Sequence, residues 1–103
     1  MQKDDGALNL LAQIKKYQGD LDSADCLMER AIDLNSNNHL HYFQKALISF
    51  KRRTKSSFFL TQWKWHKQTL KDYEKALKLS PTVMIYRYYV FYSYFYTPTI
   101  ECN

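Results

Sequence analysis

DCLMERAIDLN, residues 25–35, and LKDYEKALKLS, residues 70–80, decide the architecture. Each stretch sets a large side chain, Met28 or Tyr73, three residues before an alanine, Ala31 or Ala76. Aliphatics follow in the same register, Ile32 and Leu34 in the first copy, Leu77 and Leu79 in the second. Large and small apolar residues at this spacing mark one face of a helix, and a pattern met twice asks for a repeated unit. Upstream of the first copy, Leu8, Leu11, Ala12 and Ile14 recur at helical spacing behind Asp4 and Asp5, which suit a helix start, so a helix is predicted over residues 6–18. Gly19-Asp20 breaks it, and Asp20 or Asp22 offers a cap to a second helix. That helix carries the stripe Leu21, Ala24, Leu27, Met28, Ala31, Ile32 and Leu34 and ends in Asn35-Ser36-Asn37-Asn38. Residues 6–38 thus read as an antiparallel helical hairpin.

Working downstream, residues 39–51 repeat the helical period through Leu40, Phe43, Ala46, Leu47 and Phe50, while Tyr42 and Ile48 put bulk on the other side. This third helix is expected to be covered on two faces. Lys51-Arg52-Arg53-Thr54-Lys55-Ser56-Ser57 reads as a polar loop or a frayed helix end, followed by Phe58-Phe59-Leu60 and Trp63. A fourth helix is predicted from Trp65 through Leu70, Tyr73, Ala76 and Leu77 to Leu79, where Ser80-Pro81 stops it.

These residues resemble the tetratricopeptide repeat family, a 34-residue helix-turn-helix unit. Leu8, Leu11 and Ala12 fall at its first-helix sites, Gly19-Asp20 at its inter-helix Gly-Asp, and Ala24, Met28 and Ala31 at its second-helix sites. Ser36 replaces the usual Pro and Lys15 the common Tyr. The frame gives repeat 1 at 5–38 and repeat 2 at 39–83, the latter carrying Tyr42, Ala46, Thr69, Tyr73, Ala76, Leu79 and Pro81. Ala31 and Ala76 are 45 residues apart, which implies an 11-residue insertion covering roughly residues 53–63. Lys45 stands where Leu is usual and Thr69 where Ala is usual. The resemblance implies an all-α fold of antiparallel hairpins stacked as a short solenoid of about five helices. Two full repeats are near the lower limit for such an array, so a fragment or shortened form of a longer one is expected.

Residues 83–96 are the least family-like part: eight of these 14 are aromatic, six of them Tyr. Strand propensity and repeat context disagree over this segment. The expectation here is a degenerate capping helix over 84–96, because the third and fourth helices need a lid and a lone strand leaves its backbone donors unpaired. In the repeat frame Val90 and Tyr94 take the Leu and Tyr sites, and Phe91 falls where a small residue is needed. Residues 97–103 read as a tail.

Composition narrows function further. At 103 residues the chain has room for one core, and two glycines cannot build a phosphate-cradling loop. No HExxH, CxxC or GxSxG occurs, so a non-enzymatic role without cofactor or metal is expected. His39 and His41 on one helix point about 200° apart, which opposes joint metal ligation with His66 or Cys26. The aromatic stretch is shorter than the roughly 20 residues that span a bilayer and carries Arg87. No secretory leader pattern opens the chain, and Cys26 and Cys102 suit free thiols in a reducing compartment, so the cytoplasm, or else the nucleus, is expected. Charge is uneven: residues 1–38 hold four basic and seven acidic side chains, residues 39–78 ten basic and two acidic.

Two candidate sites follow. The repeat resemblance implies a concave groove binding a peptide of unidentified origin, with Asn9, Gln13, Phe43, Leu47 and Phe50 facing it. The second is a basic patch, Lys51, Arg52, Arg53, Lys55, Lys64 and Lys67, interleaved with Trp63 and Trp65, which would serve nucleic acid or an anionic membrane surface. Peptide binding is the preferred reading and nucleic acid the alternative. The aromatic C-terminal segment adds scope for self-association.

Overall fold

A computed structural model describes residues 4–55 and 58–95. Five helices follow in order: α1 (Asp5–Tyr17), α2 (Leu21–Leu34), α3 (His39–Lys55), α4 (Phe59–Leu79) and α5 (Met84–Phe95). The fold is all-α, and each helix packs on the next in the chain. The expected tail at 97–103, Tyr96 and Cys102 lie outside the described residues.

Local chemistry sets the first hairpin. The Asp4 carboxylate accepts the Gly6 N–H at 2.9 Å, and Asp5 at the start with Lys15 and Lys16 at the end complement the helix dipole. At the far end Gly19 adopts φ 87°, its N–H reaching the Lys16 carbonyl while that of Asp20 reaches Lys15. This paired closure is the Schellman arrangement, which needs a left-handed residue. Asp20 then caps α2 by accepting the Ser23 N–H at 3.1 Å. A Gly19→Ala variant is expected to lose about 1 kcal/mol, because alanine pays for the left-handed backbone. Chemical denaturation checks it; an unchanged midpoint would show that the turn relaxes freely.

Ala12, Ala24, Met28, Ala31 and Ile48 form the first core, with Leu8, Leu21 and Leu27 packed against it. The alanines let α1 and α2 approach, and Met28 fills the space between them. A second core lies between α3, α4 and α5. Tyr73, 2% exposed, stacks on Tyr89 at 5.1 Å between ring centroids and meets Phe43 at 5.9 Å. Phe43 also touches Tyr86 and Tyr89. Burial of these rings overrides the strand propensity of residues 83–96, so α5 is a helix. Its register differs from the repeat frame: Tyr86 and Ser93 are buried, whereas Phe91 and Tyr94 are exposed. Ser93 is the small residue at the packed face, and Phe91 never has to fit there.

The insertion is the main departure from the sequence reading. Residues 51–55 continue α3, and α4 begins at Phe59 instead of near Trp65. α3 has 17 residues against 13 in α1, and α4 has 21 against 14 in α2, so the 11 extra residues lengthen both helices of the second hairpin. The cause is side-chain engagement. The Arg52 guanidinium donates to Asp22 at 2.7 Å and lies 4.8 Å over the Trp65 ring, tying α3 to both α2 and α4. Basic residues at the end of α3 also suit its dipole. A loop at 53–63 would tolerate deletion of residues 55–60. Two helices meeting there would not, and that deletion is expected to lower helical content measured by circular dichroism; an unchanged spectrum would refute this account.

The departures from the repeat pattern are accommodated individually. Lys45 pairs with Asp25 at 2.7 Å, and the buried Thr69 hydroxyl donates to the Trp65 carbonyl at 2.7 Å. Asp72 is less comfortable: it is 5% exposed, receives one hydrogen bond from Gln68 at 2.9 Å, and burial pushes its carboxyl above the usual range. A raised folded-state pKa means stability is lost as pH rises from about 4 through that value. Asp72→Asn keeps the Gln68 bond and is expected to stabilise by about 1 kcal/mol at pH 7 but hardly at pH 3. Thermal melts at the two pH values check this; an equal effect at both would remove the burial argument.

Candidate functional site

The N-terminal halves of α1 and α3 enclose a shallow recess of about 210 Å³, lined by Gly6, Asn9, Leu10, Gln13, Asn38, Leu40, His41 and Gln44. Its floor is a hydrogen-bond chain. His41, 1% exposed, bonds Asp5 through Nε2 at 2.6 Å and Asn9 through Nδ1 at 2.9 Å. The Asn9 amide nitrogen donates to Nδ1, so the imidazole proton sits on Nε2 and is donated to the Asp5 carboxylate. Asn9 Oδ1 in turn accepts from Gln13 Nε2 at 2.8 Å. The His41 hydrogen bond, with a smaller contribution from Asn38, holds the Asp5 carboxyl below its ordinary range.

Behind Gln44, outside the recess lining, the α1–α3 seam is cationic. Lys16 is 6% exposed, donates to Gln44 Oε1 at 3.2 Å and lies over the Tyr17 ring, with Lys51 over the same ring. Desolvation, and then the neighbouring Lys51 charge, lower the Lys16 pKa. Among the described residues no carboxylate pairs with it. Leu10 and Leu40, both more than half exposed, form apolar walls at the rim.

Of the five residues expected to face a groove, the structure brings Asn9 and Gln13 together in this recess. Phe43 instead lies in the aromatic core against Tyr73, Tyr86 and Tyr89. Leu47 and Phe50 are half-buried farther along α3, with Arg53 over the Phe50 ring. Sequence reasoning missed His41, Lys16, Leu10 and Leu40. Polar side chains such as His41 and Gln44 in an otherwise apolar helix were the available signal, since buried polar groups require partners.

The basic patch divides in the same way. Arg52 is committed to Asp22 and Trp65, Lys51 and Arg53 lie over Tyr17 and Phe50, and Lys55 is exposed at the end of α3. Lys64 and Lys67 belong to a longer row. With Lys71, Lys75 and Lys78 they recur every three or four residues along α4, and all five are exposed. The row is about 21 Å long. Trp65, expected to stack on bases, is occupied by Arg52 and Lys64. His39 and His41 diverge, the first to Tyr86 at 2.6 Å and the second to α1. Among the described residues no helix is long and apolar enough to cross a membrane.

Comparison with protein-family models, with curated proteins and with solved structures found no match for this chain.

Proposed function

We propose that this chain is a non-enzymatic interaction module of the tetratricopeptide kind that binds an extended peptide segment in the α1–α3 recess. One observation carries the reading. The hydrogen-bond chain uses the Gln13 amide nitrogen and the Gln44 carbonyl, which leaves Gln13 Oε1 to accept and Gln44 Nε2 to donate at the recess surface. A donor and an acceptor lining the same recess suit the alternating N–H and C=O of an extended backbone. Leu10 and Leu40 would receive an apolar side chain, and the Lys16 and Lys51 charges beyond Gln44 favour an acidic residue of the peptide. An exposed free thiol at Cys26 suits a reducing compartment such as the cytoplasm.

Panning a random peptide library against the wild-type chain tests this. Enriched peptides are expected to carry Asp or Glu and to bind a Gln13→Ala, Gln44→Ala variant about tenfold more weakly. Enrichment of nothing, or of peptides indifferent to those substitutions, would overturn the reading. Gln13 and Gln44 are only half-buried, so this variant is expected to keep the wild-type helical spectrum.

A second reading, a polyanion-binding face, is favoured by the five exposed lysines on α4. Neutralising several phosphates makes affinity fall steeply with salt. Labelled single-stranded RNA and anionic vesicles, titrated at low and high salt, separate the two readings: no binding at low salt removes the second.

A further inference from the structure

The two ends of the helix array carry outward apolar stripes that neither the recess nor the lysine row uses. On α1, Ala7, Leu11 and Ile14 recur at i, i+4 and i+7, opposite the buried Asn9, Ala12 and Lys16; Leu11 and Ile14 are 42% and 52% exposed. On α5, Met84, Ile85 and Tyr88 turn away from the buried Tyr86 and Ser93; Met84 is 72% exposed and Tyr88 60%. These helices sit on opposite faces of α3. His41 and Gln44 meet α1, whereas His39 and Phe43, rotated by half a turn, meet α5. Terminal units of stacked-helix proteins ordinarily present polar outer faces, because an apolar end continues to recruit neighbours.

Charge selects what covers each stripe. α1 and α2 together hold three basic and five acidic residues, whereas α4 and α5 hold six basic and two acidic. Two like ends repel, and unlike ends attract. The two helices also match in length, α1 having 13 residues and α5 having 12, about 18–20 Å each.

We infer that copies of this chain associate head to tail, the Ala7, Leu11 and Ile14 stripe of one docking on the Met84, Ile85 and Tyr88 stripe of the next. Such a heterologous contact closes a ring or continues as a filament. One helix laid on another buries less than the ~1,600 Å² of a standard stable interface, so the association is reversible and micromolar.

Sedimentation of the wild type and of two end-blocked variants tests the inference. Wild-type mass is expected to rise between about 10 and 500 µM, and high salt is expected to weaken the association several-fold. Leu11→Glu, Ile14→Glu and Met84→Glu, Tyr88→Glu chains are each expected to remain at the 12.4 kDa monomer mass alone. Their equimolar mixture is expected to give a dimer and nothing larger, since it contains one intact stripe of each kind. Self-association of the α1-blocked chain would indicate α5 pairing with α5, and that of the α5-blocked chain α1 pairing with α1; either overturns the head-to-tail contact. A wild type that stays monomeric, or a mixture that does not dimerise, overturns it too. Glutamine at the same positions provides the same four measurements should a glutamate variant lose its helical spectrum.

Discussion

Replacing Tyr73 with alanine is expected to remove about 3–5 kcal/mol of stability, the largest loss foreseen for any single substitution considered above. Tyr73 is 2% exposed and supports three elements at once: it lies on α4, stacks on Tyr89 of α5 and meets Phe43 of α3. Its deletion leaves a ring-sized void that neighbouring aromatic rings cannot fill without leaving their rotamers. For a chain of this size the unfolding midpoint should fall by roughly 15 °C or more. Tyr73→Phe keeps the ring and is expected to differ from wild type by less than about 1.5 kcal/mol. A Tyr73→Ala chain melting within a few degrees of wild type would show that the aromatic stack is not a source of cohesion.

The second large effect is expected from ending the chain after Thr82. That truncation removes Tyr86 and Tyr89, baring Phe43 and Tyr73 and leaving His39 without the Tyr86 hydroxyl. Two mostly buried aromatic side chains contribute on the order of 4–6 kcal/mol by area. The truncated chain is expected to bind apolar dyes more strongly and to unfold at least 10 °C lower. Equal stability with higher solubility would show instead that α5 is an undocked aromatic segment.

What could be read in the sequence follows the range of the interactions involved. α1, α2 and the Gly19-Asp20 turn were legible because their determinants are local: a cap two or three residues from its target, a glycine at a left-handed position, apolar residues a turn apart. Residues 51–57 read as a loop or a frayed helix end because a run of basic residues looks solvated. The partners that hold Arg52 in a helix, Asp22 and Trp65, lie 30 and 13 positions away. The recess was half legible. Asn9 and Gln13 stood out as amides on an apolar helix, but transposing them by the 34-residue period selected Phe43 and Leu47 on α3. The face of α3 that meets α1 carries His41 and Gln44, because the Phe43 face is taken by α5. For α5, propensity and context conflicted, and the outcome depended on Tyr73, more than ten residues upstream.

The order in which the helices touch bears on how the chain reaches this state. α1 packs chiefly on α2, α2 on α3, α3 on α4 and α4 on α5, so most contacts join segments close in sequence. Closing a loop loses more entropy the longer it is, and here no contact must wait for the two ends of the chain to find one another. Such low contact order places folding on the microsecond-to-millisecond scale. The long α3–α4 hairpin, the most extensive pairing in the molecule, is the natural nucleus, on which α1–α2 and α5 settle from opposite sides.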